Sequence, residues 1–337
     1  MSGQCLAGYL VGYCLNGMTL SAPHQDVLDA WNQGWTGSGK SILMIDGYAA
    51  TNPNAPTPLN FMDMAHGLTT MTLANRYAYG SSIYGLDRSL NNDQSLQTGT
   101  IKNWDGSAAS GTNINVINTS FGANYWAIVG RQGVNVTSAD VTTVFNTTQT
   151  AANTWAKLLD GRITYTGFTL TDAVITKSAG NDSITADKES YVKTYATNPN
   201  INPRLLVVGA LNFAGSTSYK ATLATYSNTA GTDPSVATRF LVASGTDPFA
   251  TGAVAVDGSA YNPTDSMGTS FAAPRVAGFA AIIRQKFPNL NGEKTASILL
   301  DTARTDTLTC YPNCDSTIYG KGEASLSRAL APVGRLR

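Results

Sequence analysis

Charged residues are scarce in this chain. They make up 13% of its 337 residues, against roughly 25% in an average soluble domain. Lys plus Arg and Asp plus Glu number 22 each, so there is neither a basic face for nucleic acid nor an acidic tail. Asn, Thr, Ser and Gly supply the polarity instead, a composition common on secreted and cell-surface proteins. We therefore expect no nucleic-acid partner.

Long apolar runs are also lacking. None approaches the ~20 residues that a membrane-spanning helix needs. Residues 1–4 (MSGQ) have neither the basic nor the apolar region of a signal peptide. The sequence thus predicts no membrane span, and a chain that is either mature or not secreted.

Cysteine and histidine are too few for an evident metal site. The four cysteines form two local pairs, Cys5 with Cys14 and Cys310 with Cys314, and there are only two histidines. The first pair is too widely spaced for a Cys-x-x-Cys motif. Two short disulfides are the favoured interpretation, and four reduced thiols in a cytosolic protein are the alternative. Disulfides would indicate a location outside the cytoplasm.

Short apolar runs between turn residues predict buried strands, and apolar residues at helical spacing predict helices. The predicted strands are 42–45 (ending at Asp46), 83–90, 114–117, 173–177, 205–210 and 240–243. The predicted helices are 25–31, 68–77, 138–159 with Ser138 as its cap, 270–287 and 292–303. The glycine-rich residues 247–265 are predicted to form a β-hairpin region, and 1–25 a short N-terminal extension tied down by the first cysteine pair.

The order of these elements predicts the fold class. Strands alternate with helices, as in an α/β protein whose mostly parallel sheet has helices on both faces, giving three layers. The chain is long enough to bury a large core, and it shows no internal repeat and no clear linker. We therefore predict a single domain over residues 1–337.

The small-residue stretch GTSFAAPRVAG, residues 268–278, is a candidate nucleophile segment. Ser270 falls where a helix should begin, since small residues and Pro274 suit a first helical turn. Its hydroxyl would lie at the positive end of the helix dipole, and its backbone N–H would be free to bind an anion. The alternative is an ordinary capping serine on a core helix.

A serine hydroxyl needs a base to become nucleophilic, and the base needs a carboxylate to orient it. His66 is the plausible base, because His24 lies in the N-terminal extension and is expected to be structural or exposed. Asp46 ends a predicted strand, where the functional groups of parallel sheets gather. Asp63 lies nearer to His66 in sequence but follows no strand, so Asp46 is favoured as the orienting acid.

Five segments of the chain resemble the sequence boxes of the subtilisin-like serine proteases (subtilases), and they occur in the same order as in that family. Residues 268–278 are close to the serine box GTSMAAPHVAG, and AWNQGWTGSG at 30–39 looks like the approach to the catalytic aspartate. AHG at 65–67 resembles the start of the histidine box, NTSFG at 118–122 the substrate-binding edge, and AGN at 179–181 the oxyanion box. Five ordered boxes are far more specific than one motif.

The resemblance, which covers about residues 30–325, implies a serine endopeptidase that hydrolyses protein or peptide substrates through an acyl-enzyme. From the composition and the predicted disulfides we expect a chain that is secreted or at the cell surface, and we expect a monomer. No cofactor is required; structural calcium is common in the family, but no ligand loop supports it here. The implied site residues are Asp46, His66 and Ser270 as the catalytic triad, Asn181 with the Ser270 N–H as the oxyanion hole, Ser120 and Gly122 for substrate backbone, and Ala179 and Gly180 near the wall of the specificity pocket.

Some residues depart from the family pattern. Asp46 is followed by Gly47-Tyr48 in place of Thr or Ser and then Gly, His66-Gly67 continues as Leu68-Thr69 in place of Thr-His, and the aspartate-to-histidine connection is short. These departures support one alternative function, that of a catalytically weak or inactive surface or adhesive protein with the subtilase fold. A peptide ligase is a third possibility.

The C-terminal residues 319–334 resemble the end of the catalytic region in bacterial autotransporter subtilases. No inhibitory prodomain is evident, so a processed or excised catalytic domain is expected.

Overall fold

The computed structural model describes residues 24–48, 58–103, 106–246 and 267–331, and the short strand segments 5–6, 13–14, 253–254 and 260–261. Of residues 58–65 and 68, and of the four short segments, only the backbone is described. The strands are β1 (Cys5–Leu6), β2 (Tyr13–Cys14), β3 (Ser41–Asp46), β4 (Ser82–Asp87), β5 (Lys102–Asn103), β6 (Val116–Thr119), β7 (Val174–Ser178), β8 (Leu205–Leu211), β9 (Phe240–Ser244), β10 (Ala253–Val254) and β11 (Ala260–Tyr261). The helices are α1 (Gln25–Asn32), α2 (Pro58–Tyr77), α3 (Asp93–Thr98), α4 (Tyr125–Val129), α5 (Ser138–Leu159), α6 (Ser190–Thr197), α7 (Pro234–Ala237), α8 (Thr269–Lys286), α9 (Gly292–Asp301), α10 (Ser316–Tyr319) and α11 (Leu326–Leu330).

A seven-stranded sheet organises the fold, in the order β5-β4-β3-β6-β7-β8-β9. Every pair in it is parallel except β4 with β5. The chain passes from β3 to β4 on one side and later returns to place β6 on the other side of β3. That is a topological switch point, and ligands of open α/β sheets bind outside the carboxyl ends of the strands at such a point.

Alternate side chains of each buried strand pack into two separate apolar cores, one on each face of the sheet. In β3, Ile42 and Met44 belong to one apolar cluster, whereas Leu43 and Ile45 belong to the other. The first cluster is completed by α2 and α8 and the second by α5 and α6, because successive side chains of a strand point to opposite faces. The predicted fold class, α/β with three layers and a mostly parallel sheet, is therefore confirmed.

The helix predicted at 68–77 begins ten residues earlier than predicted. Helix α2 starts at Pro58, where proline suits a first turn, and it carries His66 in its interior. Helix α5 is capped by Thr137 and not by Ser138, because Thr137 and Asp140 form a reciprocal capping box. Three strands, β7, β8 and β9, end one residue later than predicted, β6 ends two residues later, and β4 ends at Asp87 and not at residue 90.

A second, four-stranded sheet has the order β1-β2-β10-β11. Strands β10 and β11 pair antiparallel within the predicted hairpin region 247–265, whose other residues lie outside the described ones. Cys5 stands opposite Cys14, and such paired positions have Cα atoms within disulfide range. Their side chains lie outside the described residues, so this disulfide stays a prediction, as does the single domain over 1–337.

The Cys310–Cys314 disulfide is formed, as predicted. Because it closes a very short loop, removing it with Cys310→Ala and Cys314→Ala together should lower the free energy of unfolding by no more than ~2–3 kcal/mol. Urea unfolding of the double variant and the parent measures the difference. A loss well above ~3 kcal/mol would contradict the predicted size. Peptide mapping of the denatured, non-reduced parent that finds Cys310 and Cys314 as free thiols would contradict the disulfide itself.

Candidate active site

Three separate segments meet at the carboxyl edge of the sheet. Asp46 ends β3, His66 lies in α2, and Ser270 lies in the first turn of α8. With Ser120 and Asn181 they line one cavity of about 510 Å³. The topology therefore brings together residues that are up to 224 positions apart in the sequence (from 46 to 270).

Asp46 holds the imidazole of His66. The carboxylate is 1% exposed, and its Oδ1 lies 2.8 Å from His66 Nδ1. Gly47 N–H donates to the same oxygen at 2.8 Å, and Thr70 Oγ1 donates to Oδ2 at 3.0 Å. Burial opposes ionisation of Asp46, but the charges of His66 and Arg88 and the hydrogen bonds from His66 and Gly47 outweigh it and lower its pKa. An ionised Asp46 requires the proton on Nδ1, which leaves Nε2 as the acceptor.

A glycine lets α2 come close enough for this contact. A Cβ atom at Gly67 would lie 2.3 Å from the carbonyl oxygen of Gly47 and 2.6 Å from the ring of Tyr48. Any larger residue would push the helix away from the end of β3. The glycine that follows His66 is therefore a packing requirement of the Asp46–His66 pair.

Ser270 is 9% exposed, and its backbone N–H has no acceptor in the described part of the chain, as expected in a first helical turn. Its Oγ donates to the carbonyl oxygen of Ser120 at 2.8 Å, and Ser120 Oγ donates to the carbonyl oxygen of Ser270 at 2.9 Å. These reciprocal bonds fix the start of α8 against the end of β6. To transfer its proton, the Ser270 hydroxyl must redirect its hydrogen from Ser120 towards His66.

The side-chain amide of Asn181 is oriented by Thr269. Its Oδ1 accepts from the backbone N–H of Thr269 and from Thr269 Oγ1, both at 2.9 Å. Since a backbone N–H can only donate, the amide oxygen must stand on that side. The amide nitrogen is then the free end of a side chain that lines the cavity beside Ser270. An N–H donor is thus available next to Ser270.

The loop before Asn181 is built around a buried asparagine that the sequence analysis missed. Asn228 donates to the carbonyl oxygen of Ala179 and accepts from Asp182 N–H. Gly180 has φ +105°, and a Cβ there would lie 2.3 Å from Asn228 Nδ2, so glycine is required. Gly180 lines the cavity, but Ala179 is buried in the second core and does not line it. Because successive side chains of a strand point to opposite faces, Ser178, the residue before Ala179, lines the cavity instead.

The predicted substrate edge follows β6. The N–H and C=O groups of Gly122 have no hydrogen-bond partner among the described residues, so they are open to an added strand. Ser120 differs, because its side chain is buried and engaged with Ser270. Its carbonyl oxygen also accepts from Ser270 Oγ, so a substrate contact by Ser120 stays a prediction. A Cβ at Gly122 would lie 3.1 Å from Glu189 Oε1, so glycine also keeps this edge close to that carboxyl group.

Thr70 is a second residue that the sequence analysis did not identify. It lies four residues after His66 on α2, so the two side chains share one face of the helix. The i, i+4 spacing from His66 is the sequence signal for this contact. His24, by contrast, has a structural position as predicted, since its Nδ1 accepts from Asp26 N–H at the start of α1.

In the ranges that the structure describes, no group of three His, Cys, Asp or Glu side chains converges as a metal site would require, and no helix is long and apolar enough to cross a membrane. The prediction of no required cofactor, and of possible structural calcium, stays a prediction.

A protein-family model described as "Subtilase family" matches residues 47–322. No curated protein sequence matches the chain. Among solved structures, the chain is similar to the prenylagaramide maturation protease PagA, with 16% identity, a TM-score of 0.51 and coverage of 92% of this chain and 98% of that one. It is also similar to fervidolysin from Fervidobacterium pennivorans, a keratinolytic enzyme related to subtilisin, with 19% identity, a TM-score of 0.52 and coverage of 94% and 45%. At these identities the structures support the fold alone.

Proposed function

The chain belongs to the subtilase family of serine proteases, and from that premise we propose that it is an endopeptidase whose triad is Asp46, His66 and Ser270. The family match begins one residue after Asp46, so that assignment rests on geometry. The observation that carries the proposal is the 2.8 Å contact of Asp46 Oδ1 with His66 Nδ1, in the cavity that Ser270 lines. The side chain of Asp63, the alternative orienting acid, lies outside the described residues.

The first half of the reaction forms an acyl-enzyme. Ser270 Oγ attacks the scissile carbonyl carbon while His66 Nε2 takes the hydroxyl proton, and Asp46 stabilises the resulting imidazolium. The carbonyl oxygen becomes an oxyanion, which accepts hydrogen bonds from Asn181 Nδ2 and from Ser270 N–H. His66 then returns the proton to the leaving amine as the peptide C–N bond breaks.

The second half reverses these roles with water. His66 takes a proton from a water molecule, whose oxygen attacks the ester carbonyl of the acyl-enzyme. Collapse of the second oxyanion breaks the bond to Ser270 Oγ, and the serine recovers its proton from His66. The substrate backbone would lie along Gly122 as an added strand, with the chain continuing on both sides of the bond, as an endopeptidase requires.

Covalent labelling tests the proposal. A fluorophosphonate reacts only with an activated serine, so intact mass should rise by one adduct and peptide mapping should locate it at Ser270. A surface or adhesive protein that keeps only the fold would not be labelled. A peptide ligase would be labelled but would join peptides, which the masses of the products distinguish from hydrolysis. Absence of the adduct on folded protein would refute the proposed function.

Asn181→Ala should lower kcat by ~10²–10³-fold with little change in KM, because the donor acts on charge that develops only in the transition state. Steady-state kinetics on a peptide ester or amide measure both constants. The change also removes the acceptor of Thr269 N–H, so a melting curve must accompany the kinetics.

Asn181→Asp is the matched variant, because it keeps an oxygen for Thr269 but has no N–H donor. It should lose activity to a similar extent while retaining more of the melting temperature. Near-normal kcat in the folded fraction of either variant would contradict the oxyanion role.

We also propose an extracellular setting, in which the chain acts as a monomer on protein or peptide substrates. The Cys310–Cys314 disulfide and the family support it, since disulfides persist in oxidising compartments. The resemblance of residues 319–334 to autotransporter subtilases stays a prediction, and part of that segment lies outside the described residues.

A further inference from the structure

The wall of the cavity between Gly122 and Asn181 carries two carboxyl groups that the chemistry above does not use. Asp182 and Glu189 both line the cavity, together with the aromatic ring of Tyr125. Asp182 is 7% exposed and Glu189 is 1% exposed. Carboxylates are rarely this buried unless a nearby cation or hydrogen-bond donors compensate their charge.

The charge of Glu189 is compensated within the protein. Its Oε1 accepts from Ala123 N–H at 3.0 Å, and its Oε2 accepts from Val192 N–H at 2.7 Å at the start of α6. Lys177 Nζ lies 4.0 Å from Oε2. Burial lowers the pKa of Lys177, but three acceptors surround its Nζ, namely the carbonyl oxygens of Phe121 and Ser178 and the Ser178 hydroxyl, and they match the three N–H donors of an ammonium group.

Asp182 has no such compensation. Its carboxylate forms no ion pair in the part of the chain that the structure describes. Burial raises its pKa to about 7, the charge of Glu189 adds to the shift, and the backbone N–H of Asn181 offsets it only in part. The group is therefore a carboxyl of the cavity wall that lacks a cation. Arg88 also lines the cavity, but its charge acts on Asp46 and Tyr191.

An independent observation points to the same place. Tyr125 is 1% exposed, and its hydroxyl has no hydrogen-bond partner among the described residues. Burial and the charges of Asp182, Glu189 and Asp140 raise the pKa of the phenol, so it is a neutral hydroxyl beside Asp182. A buried hydroxyl without a partner costs free energy, unless a ligand supplies the missing bond.

We infer that Asp182 and the Tyr125 hydroxyl bind a cationic side chain, lysine or arginine, of the substrate residue that donates the scissile carbonyl. The inference rests on the proposed function, because the position of the substrate follows from it. In the proposed reaction the substrate carbonyl carbon lies at Ser270 Oγ, its carbonyl oxygen at Asn181, and the substrate backbone along Gly122. The side chain of that substrate residue then enters the cavity between Gly122 and Asn181. An ammonium or guanidinium there gains a carboxylate and a hydroxyl oxygen together.

The test compares peptide substrates that differ only at this residue. Lysine, arginine, glutamine, glutamate and norleucine are used, the last because it matches the lysine stem without its charge. We expect kcat/KM for lysine or arginine to exceed that for norleucine by about 10- to 100-fold, the range of a buried hydrogen bond to a charged group. Comparison of lysine with arginine shows which cation the site prefers.

Variants locate the effect. Asp182→Asn, which keeps the shape of the side chain, should bring the lysine-to-norleucine ratio close to one, and Tyr125→Phe should lower it by a few-fold. Asp187→Asn is the matched control: it makes the same charge change five residues away, where Asp187 pairs with Lys188 at 3.3 Å, and it should keep the ratio of the parent. Fluorophosphonate titration supplies the concentration of active sites for each variant, so partial misfolding cannot mimic a loss of preference.

The outcomes separate the two proposals. Parent protein that labels at Ser270 but cleaves the norleucine or glutamate peptide as well as the lysine peptide overturns this inference and leaves the proposed function standing. Retention of the preference in Asp182→Asn also overturns it. If the folded parent neither labels nor cleaves any peptide, the proposed function fails, and this inference fails with it.

Discussion

Ser270→Ala protein is expected to fold normally and to lose about 10⁶-fold in kcat, the size of loss that removing the nucleophile of such a triad produces. Serine and alanine differ only by the hydroxyl group, whose oxygen forms the ester bond of the acyl-enzyme. The structural cost is small, because Ser270 does not cap α8: the N-cap is Gly268, and α8 has no side-chain cap. What is lost is one hydrogen bond to the carbonyl oxygen of Ser120, worth ~1 kcal/mol.

Cleavage of casein and of a peptide substrate, together with a melting curve, measures both effects. Ser138→Ala is the control, since Ser138 also lies in a first helical turn, that of α5, on the other face of the sheet. That variant should keep the activity of the parent. Unchanged proteolysis by purified Ser270→Ala protein would sink the assignment of the nucleophile.

The sheet could be predicted because its strands are buried on both faces. Segments such as residues 42–45 are short and wholly apolar, and turn residues flank them. Their length, composition and flanking residues therefore all favour a buried strand. Helix α2 was harder. The sequence of its first turns lacks a regular apolar stripe, so only the part from residue 68 showed a helical pattern.

The proposed triad could be anticipated from resemblance, but the contacts that support it could not. The bond from Thr70 to Asp46 joins a helix to a strand end, and the bonds of Asn228 join two loops. Such pairings depend on how elements pack, which single-sequence patterns do not record. The two carboxyl groups of the cavity wall show the same limit. Glu189, just before α6, has a cation nearby because Lys177 reaches it from β7, whereas Asp182 has none in the described part of the chain, and the sequence does not record that pairing.

Asp46→Asn should reduce kcat by about 10⁴-fold, the second largest effect expected here. Asparagine nearly matches the size of aspartate, but Gly47 N–H and His66 Nδ1 both contact the same oxygen, Oδ1. If the amide oxygen takes that position, the His66 tautomer is kept, but the imidazolium of the transition state loses its counter-ion. If the NH₂ group takes it, a donor faces His66 Nδ1 and favours the tautomer with the proton on Nε2, which could no longer accept the proton of Ser270.

Asp87→Asn is the matched control, because Asp87 pairs in register with Asp46 at the end of the neighbouring strand β4. Its carboxylate accepts from the backbone N–H groups of Tyr48 and Ser89 and is not bonded to His66. The same change one strand away should therefore leave kcat within a few-fold of the parent, and both variants should label at Ser270 at rates that follow their kcat. If Asp46→Asn retained most of the activity, or if Asp87→Asn lost as much, Asp46 would not be the residue that orients His66.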